Sequence, residues 1–416
     1  MELRAGYKQS DIGNVPEQWE VKRLAEIAFV GSGGTPSREI PTYWGGSIPW
    51  ITTSQIDFGT ITEADQFITE EGLMNSAAKL LPVGTLLMAL YGQGKTRGKV
   101  GVLGIAAATN QACASIALHT GVSRDFILHF LTSRYEAIRN SSNTGSQENL
   151  NGNIVKGFLV AFPPPHEQRT IATALSDVDA LLDELERLIA KKRDLKQAAM
   201  QQLLTGQTRL PGFDGEWTVK PLGSTAILKA RIGWQGLTTS EYLESGDYFL
   251  VTGTEFNNGR IDWGSCHYVD ESRYVQDKYI QVKMDDVLVT KDGTIGKVAL
   301  IRDLPRPATL NSGVFVIRPI DNAFHPAFFY YLLCSKVFRD FLAQLSAGST
   351  INHLYQKDFV TFKYRTPPTI AEQNAVAVIL SDMDVELSAL VARCNKTRNL
   401  KQAMMQELLT GRTRLV

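Results

Sequence analysis

What this 416-residue chain lacks narrows its class before any motif is read. It has no apolar run of about 18 residues, so no membrane-spanning helix is expected. The opening stretch MELRAGYKQSDIGNVPEQW has no apolar core of the kind a secretory signal carries. Cysteine is scarce. Cys113, Cys266, Cys334 and Cys394 stand far apart and never form CxxC, which excludes a spaced zinc site and a disulfide frame. They read as thiols of a cytoplasmic protein. The six histidines form no HExxH and do not pair with cysteine, so no metal site is expected. There is no G-x-G-x-x-G for a dinucleotide or S-adenosylmethionine. The Asn-Pro-Pro-aromatic sequence of an amino-methyltransferase is also missing, since Ala161 and Phe162 precede Pro163-Pro164. Net charge is zero, with 43 basic and 43 acidic residues, which argues against a protein that coats nucleic acid alone. Hydrophobic residues at 44% and charged residues at 21% suit a soluble globular chain, and its length calls for two or more domains.

Acid is missing locally as well. No Asp or Glu falls between Gly72 and Arg124, where Lys79, Lys95, Arg97, Lys99 and Arg124 all lie. Such a window suits contact with phosphates, and equally a strand edge protected by charge.

What is present is a repeat. Residues 195–210 read LKQAAMQQLLTGQTRL and residues 400–415 read LKQAMMQELLTGRTRL. From Glu167–Leu210 to Glu372–Leu415 the offset is a constant 205, with 24 identities in 44 positions. A repeat of this length marks a duplicated architecture. Both copies carry apolar residues at 4-3-4-3-4 spacing, the a/d seam of a helix that packs on another long helix. In the first copy these are Ile171, Leu175, Val178, Leu182, Leu185 and Ile189. In the second they are Val376, Leu380, Met383, Leu387, Leu390 and Cys394. Prolines 163–165 and 367–368 precede the two helices, and Thr369 with Glu372 fits a capping box. Gly206 and Gly411 sit where the helices should end. A helix over residues 167–205 is roughly 57 Å long, and its second copy is the expected partner.

The segments ahead of the helices are rich in short β-type runs. IPWITTS, TLLMALYG, KVGVLGIA and ACASIAL read as strands in the first half, and YFLVTGTE, VLVTKDG, KVALIRD and GVFVIRP in the second. Short helices are expected at Asp125–Arg139 and Ala327–Leu345. The globules correspond faintly, Trp19-x-Val21-Lys22 with Trp217-x-Val219-Lys220 and Gly98-Lys99-Val100 with Gly296-Lys297-Val298, at an offset of 198. The expected plan is a first globule over 1–160, a helix over 161–211, a second globule over 212–366 and a helix over 367–416. Like helices suggest like tasks, and unlike globules suggest reading two different things.

Taken together, these features resemble one family, the specificity (S) subunit of Type I restriction–modification systems. The resemblance rests on PEQWEVKRL at 16–24 and DGEWTVKPL at 214–222, on IPWITT, on NTGSQENLNGN before FPPPHEQ, and on the two LKQA-M-Q-LLTG-TRL helix ends. It implies an α+β chain with two mixed, strand-rich target-recognition domains. Two long antiparallel paired helices, a coiled-coil spacer, would separate them in a pseudo-twofold internal repeat. It further implies that each globule reads one half of a bipartite double-stranded DNA site. The helix pair would set the gap and dock two methyltransferase subunits. Motor–nuclease subunits would join for cleavage. The chain itself would be non-catalytic, with S-adenosylmethionine on the methyltransferase and ATP and Mg on the motor–nuclease.

Side chains that read base edges are Arg or Lys for guanine and Asn or Gln for adenine. Loops carrying such types supply the DNA-binding candidates. They are Ser37, Arg38, Gln93, Lys95, Arg97, Ser146 and Gln147 in the first globule. In the second they are Arg231, Gln235, Lys291, Asp292, Thr294, Ser349, Thr350 and Asn352.

The alternative is a self-contained ATP- or metal-dependent DNA nuclease. Ala89-x4-Gly94-Lys95-Thr96 approximates a P-loop, but the following RGKVGVLGIA reads as a strand, so no helix N-terminus would face a phosphate. Asp11 with Glu20 faintly suggests an acidic metal cluster, yet Thr218 replaces Glu20 in the second copy. ATP hydrolysis by the purified single chain, abolished by Lys95→Ala, would favour the nuclease. The specificity-subunit reading expects no hydrolysis from the unmodified chain.

Overall fold

The structure is a computed structural model that describes residues 5–92, 94–141, 149–346 and 353–415. The chain forms two compact units, Met1–Glu186 with Ala392–Val416, and Arg187–Val391. Both unit boundaries fall inside long helices.

The first unit holds a five-stranded sheet in the order Ala28–Ser32, Cys113–Leu118, Leu86–Ala89, Val100–Leu103, Thr60–Ile61. Its neighbours are antiparallel except the last pair. Leu86–Ala89 carries no polar alternation because it is covered on both faces, and all its residues are buried. Beside it, Trp44–Ile51 pairs parallel with Ala108–Thr109 and antiparallel with Gln66–Ile68. Glu20–Arg23 pairs with Leu159–Phe162 and joins the two ends of the globule. The helix Arg124–Ser133 drives Phe126, Ile127, Phe130 and Leu131 into the core.

The second unit follows the same plan. Its four-stranded sheet runs Ala226–Lys229, Val314–Pro319, Val287–Thr290, Val298–Leu300, and its three-stranded sheet runs His267–Val269, Tyr248–Val251, Ala308–Leu310. Thr218–Pro221 with Lys363–Thr366 closes the globule. The α+β class is thus met in each unit. The short helices expected from sequence are each split in two. Arg124–Ser133 is followed by Tyr135–Asn140, and Pro326–Cys334 by Lys336–Leu345. In the second case the Ser335 hydroxyl accepts from the Val337 amide at 3.2 Å, and this local cap wins over continuation of the helix.

The long helices span Pro165–Leu203 and Ile370–Leu408, 39 residues each. Proline suits the first helical position, where an N–H would have no partner. The Thr369 hydroxyl accepts from the Glu372 amide at 3.2 Å, so half of the expected capping box forms. The Glu372 carboxylate does not turn back, because it is taken by Arg209 and Trp217. Gly206 and Gly411 follow the helix ends at φ of +73° and +71°, the left-handed cap. A Cβ would also lie 3.0 Å from the Trp217 indole at Gly206 and 2.5 Å from the Pro16 ring at Gly411.

Within each unit the two helices run antiparallel. In the first, Asp179 pairs with Lys401 and Glu186 with Arg398. In the second, Lys192 pairs with Glu386 and Lys196 with Asp384. Asp179 and Asp384 occupy one position of the repeat, as do Lys196 and Lys401, so the repeat builds one ion pair twice. Such partly exposed pairs contribute about 0–1 kcal/mol each and chiefly fix register. Of the twelve seam residues, Ile171, Leu175, Leu182, Leu185, Ile189, Val376, Leu380 and Cys394 are buried, and Val178, Met383, Leu387 and Leu390 are half-buried. Ile171 and Leu175 belong to the core around Trp19 and Phe126, and Val376 and Leu380 to the core around Trp217 and Phe328. The first turns of each seam therefore serve a globule, because apolar spacing alone does not distinguish a helix from a sheet as the opposing surface.

A buried carboxylate closes each unit. Glu167 and Glu372 are 0% and 1% exposed. Glu167 accepts from Trp19 Nε1 at 2.9 Å and from both Nε and Nη2 of Arg414. Glu372 accepts from Arg209 Nε and Nη2 at 2.6 and 2.7 Å and from Trp217 Nε1 at 3.4 Å. The adjacent glutamines do the same work in both copies. Gln168 Nε2 donates to the Pro163 carbonyl and its Oε1 accepts from the Ser123 amide; Gln373 Nε2 donates to Pro367 and its Oε1 accepts from His325.

Stranding one of these carboxylates should be costly. Arg209→Met is expected to destabilise the second unit by about 3–5 kcal/mol in urea unfolding followed by tryptophan fluorescence. Adding Glu372→Gln should recover most of that loss, and equal stability of the single and double variants would contradict the account.

Candidate nucleic-acid interface

Backbone hydrogen bonds gather the loops at one end of each globule's sheets. In the first unit, Trp44–Ile51 runs into a 3-10 turn over Thr53–Gln55. The Asn110 amide donates to the Ile51 carbonyl at 3.0 Å, the Gly34 amide to Thr109 at 2.8 Å, and the Leu90 amide to Ala112 at 2.8 Å. The Leu150 amide donates to Leu90 at 3.0 Å. Loops around residues 34, 52, 90, 110 and 150 therefore adjoin. The second unit repeats the pattern. The Asn311 amide donates to Val251, the Lys291 amide to Gly313, and the Leu354 amide to Lys291, each at 2.8 Å. Loops around residues 252, 291, 311 and 354 adjoin there, and the Arg231 side chain ties its own loop to Leu310.

Two turns in these clusters share one device. Thr52 N donates to Gln55 Oε1 at 3.2 Å, and the Thr52 and Ser54 hydroxyls bond at 2.7 Å. In the second unit Thr252 N donates to Glu255 Oε2 at 3.0 Å, and the Thr252 and Thr254 hydroxyls bond at 2.9 Å. A third copy stands at Thr238–Glu241. There the Thr238 amide first, and then the Arg273 guanidinium and the Thr238 hydroxyl, hold the Glu241 carboxyl down at about 2. Each turn is rigid and presents hydroxyls beside the loops that adjoin it.

The candidates fall into four groups. Ser37, Arg38 and Lys95 are exposed on the first unit's loops. Arg38 lies 3.8 Å from the Trp44 ring centroid and donates from Nη2 to Gln66 Oε1 at 2.7 Å. Lys291, Asp292 and Thr294 cluster in the second unit, where Asp292 bonds His353 Nδ1 and the Lys291 ammonium lies 5.3 Å from the Phe315 ring centroid. Arg97, Arg231 and Gln235 are buried at 8%, 1% and 7% exposure. Arg231 donates to the Leu310 carbonyl, Thr309 Oγ1 and Gln276 Oε1, so its guanidinium braces the loops from beneath, and burial with Arg273 nearby lowers its pKa. Gln93, Ser146, Gln147, Ser349, Thr350 and Asn352 lie outside the described residues.

Residue-type reasoning passed over several side chains on these loops, among them Asn110, Gln111, Tyr242, Asn311, His353 and Tyr355. Asn311 Nδ2 donates to the Tyr242 hydroxyl at 2.6 Å, and the Thr35 hydroxyl bonds Gln111. Aligning ITTSQ with VTGTE, at an offset of 200, is the signal that finds them, because the loops packed against those strand ends follow.

The enzyme-like motifs have ordinary surroundings. Gly94–Lys95–Thr96 lies in a turn that leads into the strand Val100–Leu103, with no helix after it. Glu20 pairs with Lys22 at 2.6 Å. No helix among the described residues is long and apolar enough to cross a membrane.

Solved structures share this architecture. One is the S subunit of a Type I restriction–modification system from M. genitalium, 16% identical, with a TM-score of 0.62 over 98% of each chain. Another comes from a study of complex assembly and conformational transition in the type I system, 18% identical, with a TM-score of 0.59 over 95% of this chain and 99% of that one. The fold is thus that of a Type I S subunit. The chain belongs to the Type I restriction modification DNA specificity domain family, whose model matches residues 16–196 and again 215–396. Relatives include the MjaIX specificity subunit of Methanocaldococcus jannaschii, 25% identical over 87% of this chain and 86% of its own. The MjaVIII specificity subunit of the same organism is 24% identical over 96% and 94%. These relatives lend no support to a self-contained nuclease.

Burial separates the two kinds of arginine and lysine here. Arg231→Met should lower the stability of the second unit by about 1–3 kcal/mol, because buried acceptors lose their donor. Lys95→Ala should change stability by less than about 0.5 kcal/mol. Denaturant unfolding of both variants checks this, and a reversed order would refute the placement.

Proposed function

We propose that this chain is the DNA-recognition subunit of a Type I restriction–modification complex, with each globule reading one half of a bipartite target. The observation that carries this is a loop cluster built twice on the same backbone bonds but furnished with different side chains. Arg38, Lys95 and Gln111 occupy the first cluster, and Tyr242, Lys291, Asp292 and Asn311 the second. A shared frame with unlike polar groups suits two readers of two sequences. Exposed lysines beside them suit phosphate, which adds affinity without sequence.

The repeated helix surface suits two copies of one partner, a methyltransferase subunit. Leu195 and Leu400 are 47% and 54% exposed at the same repeat position, and Ala198 and Ala403, one turn on, are exposed too. Neither leucine serves a core, yet each keeps its identical neighbours Lys-Gln-Ala. A cavity of about 460 Å³ in the second unit is lined by the repeat residues Lys196, Met200, Gln201 and Leu204 together with Val337 and Arg339. On this reading methyl transfer and base flipping belong to the partner, with its S-adenosylmethionine. Cleavage belongs to motor–nuclease subunits with ATP and Mg, and this chain carries no catalysis. The protein works in the cytoplasm, and the paired helices fix the unread gap.

Methylation-aware sequencing of DNA from a host carrying this chain and its methyltransferase tests the reading. A bipartite motif is expected. Replacing residues 1–160 with another first globule should change one half-site only. Lengthening both helices by about one turn, roughly 5.4 Å, should widen the gap by about one to two base pairs. An unaltered gap would remove the helices' role as a ruler.

A further inference from the structure

One exposed cation of the first unit, Arg38, is held against two indole rings. Trp44 and Trp50 meet edge to face at 5.0 Å and 90°, forming an aromatic corner. Arg38 lies in that corner, 3.8 Å from the Trp44 centroid and 5.3 Å from that of Trp50. Its Nη2 donates to Gln66 Oε1 at 2.7 Å, and Gln66 is the cross-strand partner of Trp50. The loop beneath is fixed as well. Trp44 Nε1 donates to the Ser37 carbonyl and Trp50 Nε1 to the Gly34 carbonyl, both at 3.0 Å. Trp50 adjoins Ile51, whose carbonyl holds Asn110, so Arg38 borders the gathered loops. Its Nε and Nη1 have no acceptor among the described residues.

A guanidinium fixed in plane and direction is more than a positive charge needs. A phosphate also accepts a guanidinium fork, but a lysine point charge can hold it as well, and neither contact carries sequence. The two coplanar acceptors of guanine, O6 and N7, instead require a flat fork presented edge-on. In the second unit the comparable arginines are already engaged. Arg273 donates Nε and Nη2 to Glu241, and Arg231 is buried. We infer that Arg38 reads a guanine in the major groove of the first half-site, with Trp44, Trp50 and Gln66 as positioning residues. The inference rests on the proposed function and goes further by assigning one base type to one side chain.

The test compares the unmodified chain with R38A and R38K, each co-expressed with the partner methyltransferase in a host free of other methylation. Methylation-aware sequencing reads both half-sites. R38A should lose preference for guanine at one position of one half-site by about five- to a hundredfold, and R38K, which replaces the fork by a point charge, should lose part of it, while the other half-site stays unchanged. The unchanged half also reports that the chain is folded and assembled. An unaltered motif, with methylation lowered evenly in R38A and restored in R38K, would show a phosphate contact and overturn the inference. Loss of both half-sites together would mark Arg38 as purely structural and overturn it too. Absence of any bipartite motif from the unmodified chain would sink the proposed function, and this assignment with it.

Discussion

Two buried carboxylates, Glu167 and Glu372, hold the rest of the structure together. Each sits in the first turn of a long helix, near the positive end of the helix dipole. Each joins three segments of its unit: the helix start, the tryptophan that opens the globule, and an arginine that follows the end of the other long helix. Taking a carboxylate out of water is costly unless donors surround it. That cost makes the arrangement selective, since neither globule nor helix alone supplies both the indole and the guanidinium. The neighbouring glutamines extend the junction to the preceding proline carbonyl and to the lead-in of the short core helix.

Much of this fold was legible in the sequence. Prolines and glycines bracket both long helices, with Gly206 and Gly411 each just beyond the helix ends at Leu203 and Leu408, and strand runs such as TLLMAL and VLVT fall on strands. Local patterns hide what distant partners decide. Glu372 fits a capping box in sequence, but its carboxylate goes to Arg209, 163 residues away. Arg231 sits in a loop of readable composition, yet the Leu310 carbonyl and Thr309 draw it inward. The seam spacing at Ile171 and Leu175 could not tell a partner helix from the core around Trp19. Residue type points to the Lys291–Thr294 loop and Arg38, which the structure places on the loops of the two units. It does not point to Asn311 and Tyr242, whose contact depends on which loops the strands bring together.

The two loop clusters show how one frame serves different content. Bonds between main-chain atoms, such as Asn110 to Ile51 and Asn311 to Val251, set the positions of the loops without depending on side chains. Side chains at the tips can then change freely, provided the Thr-x-Ser/Thr-Gln/Glu turns beneath them keep their internal bonds. The helices have the opposite regime. There the side chains themselves set register, and the same Asp–Lys pair stands in both units.

The division of the chain also bears on its synthesis. The second unit is one continuous stretch, Arg187–Val391, whereas the first needs both Met1–Glu186 and Ala392–Val416. The globule that leaves the ribosome first is therefore the last to be completed. Until Arg414 emerges, Glu167 has no guanidinium beside it, and the core around Trp19 lacks Leu408 and Leu409. Domains of a chain commonly mature in the order they are made. Here the order is inverted, and a chain interrupted between Val391 and Leu408 would carry a finished second unit and an open first one.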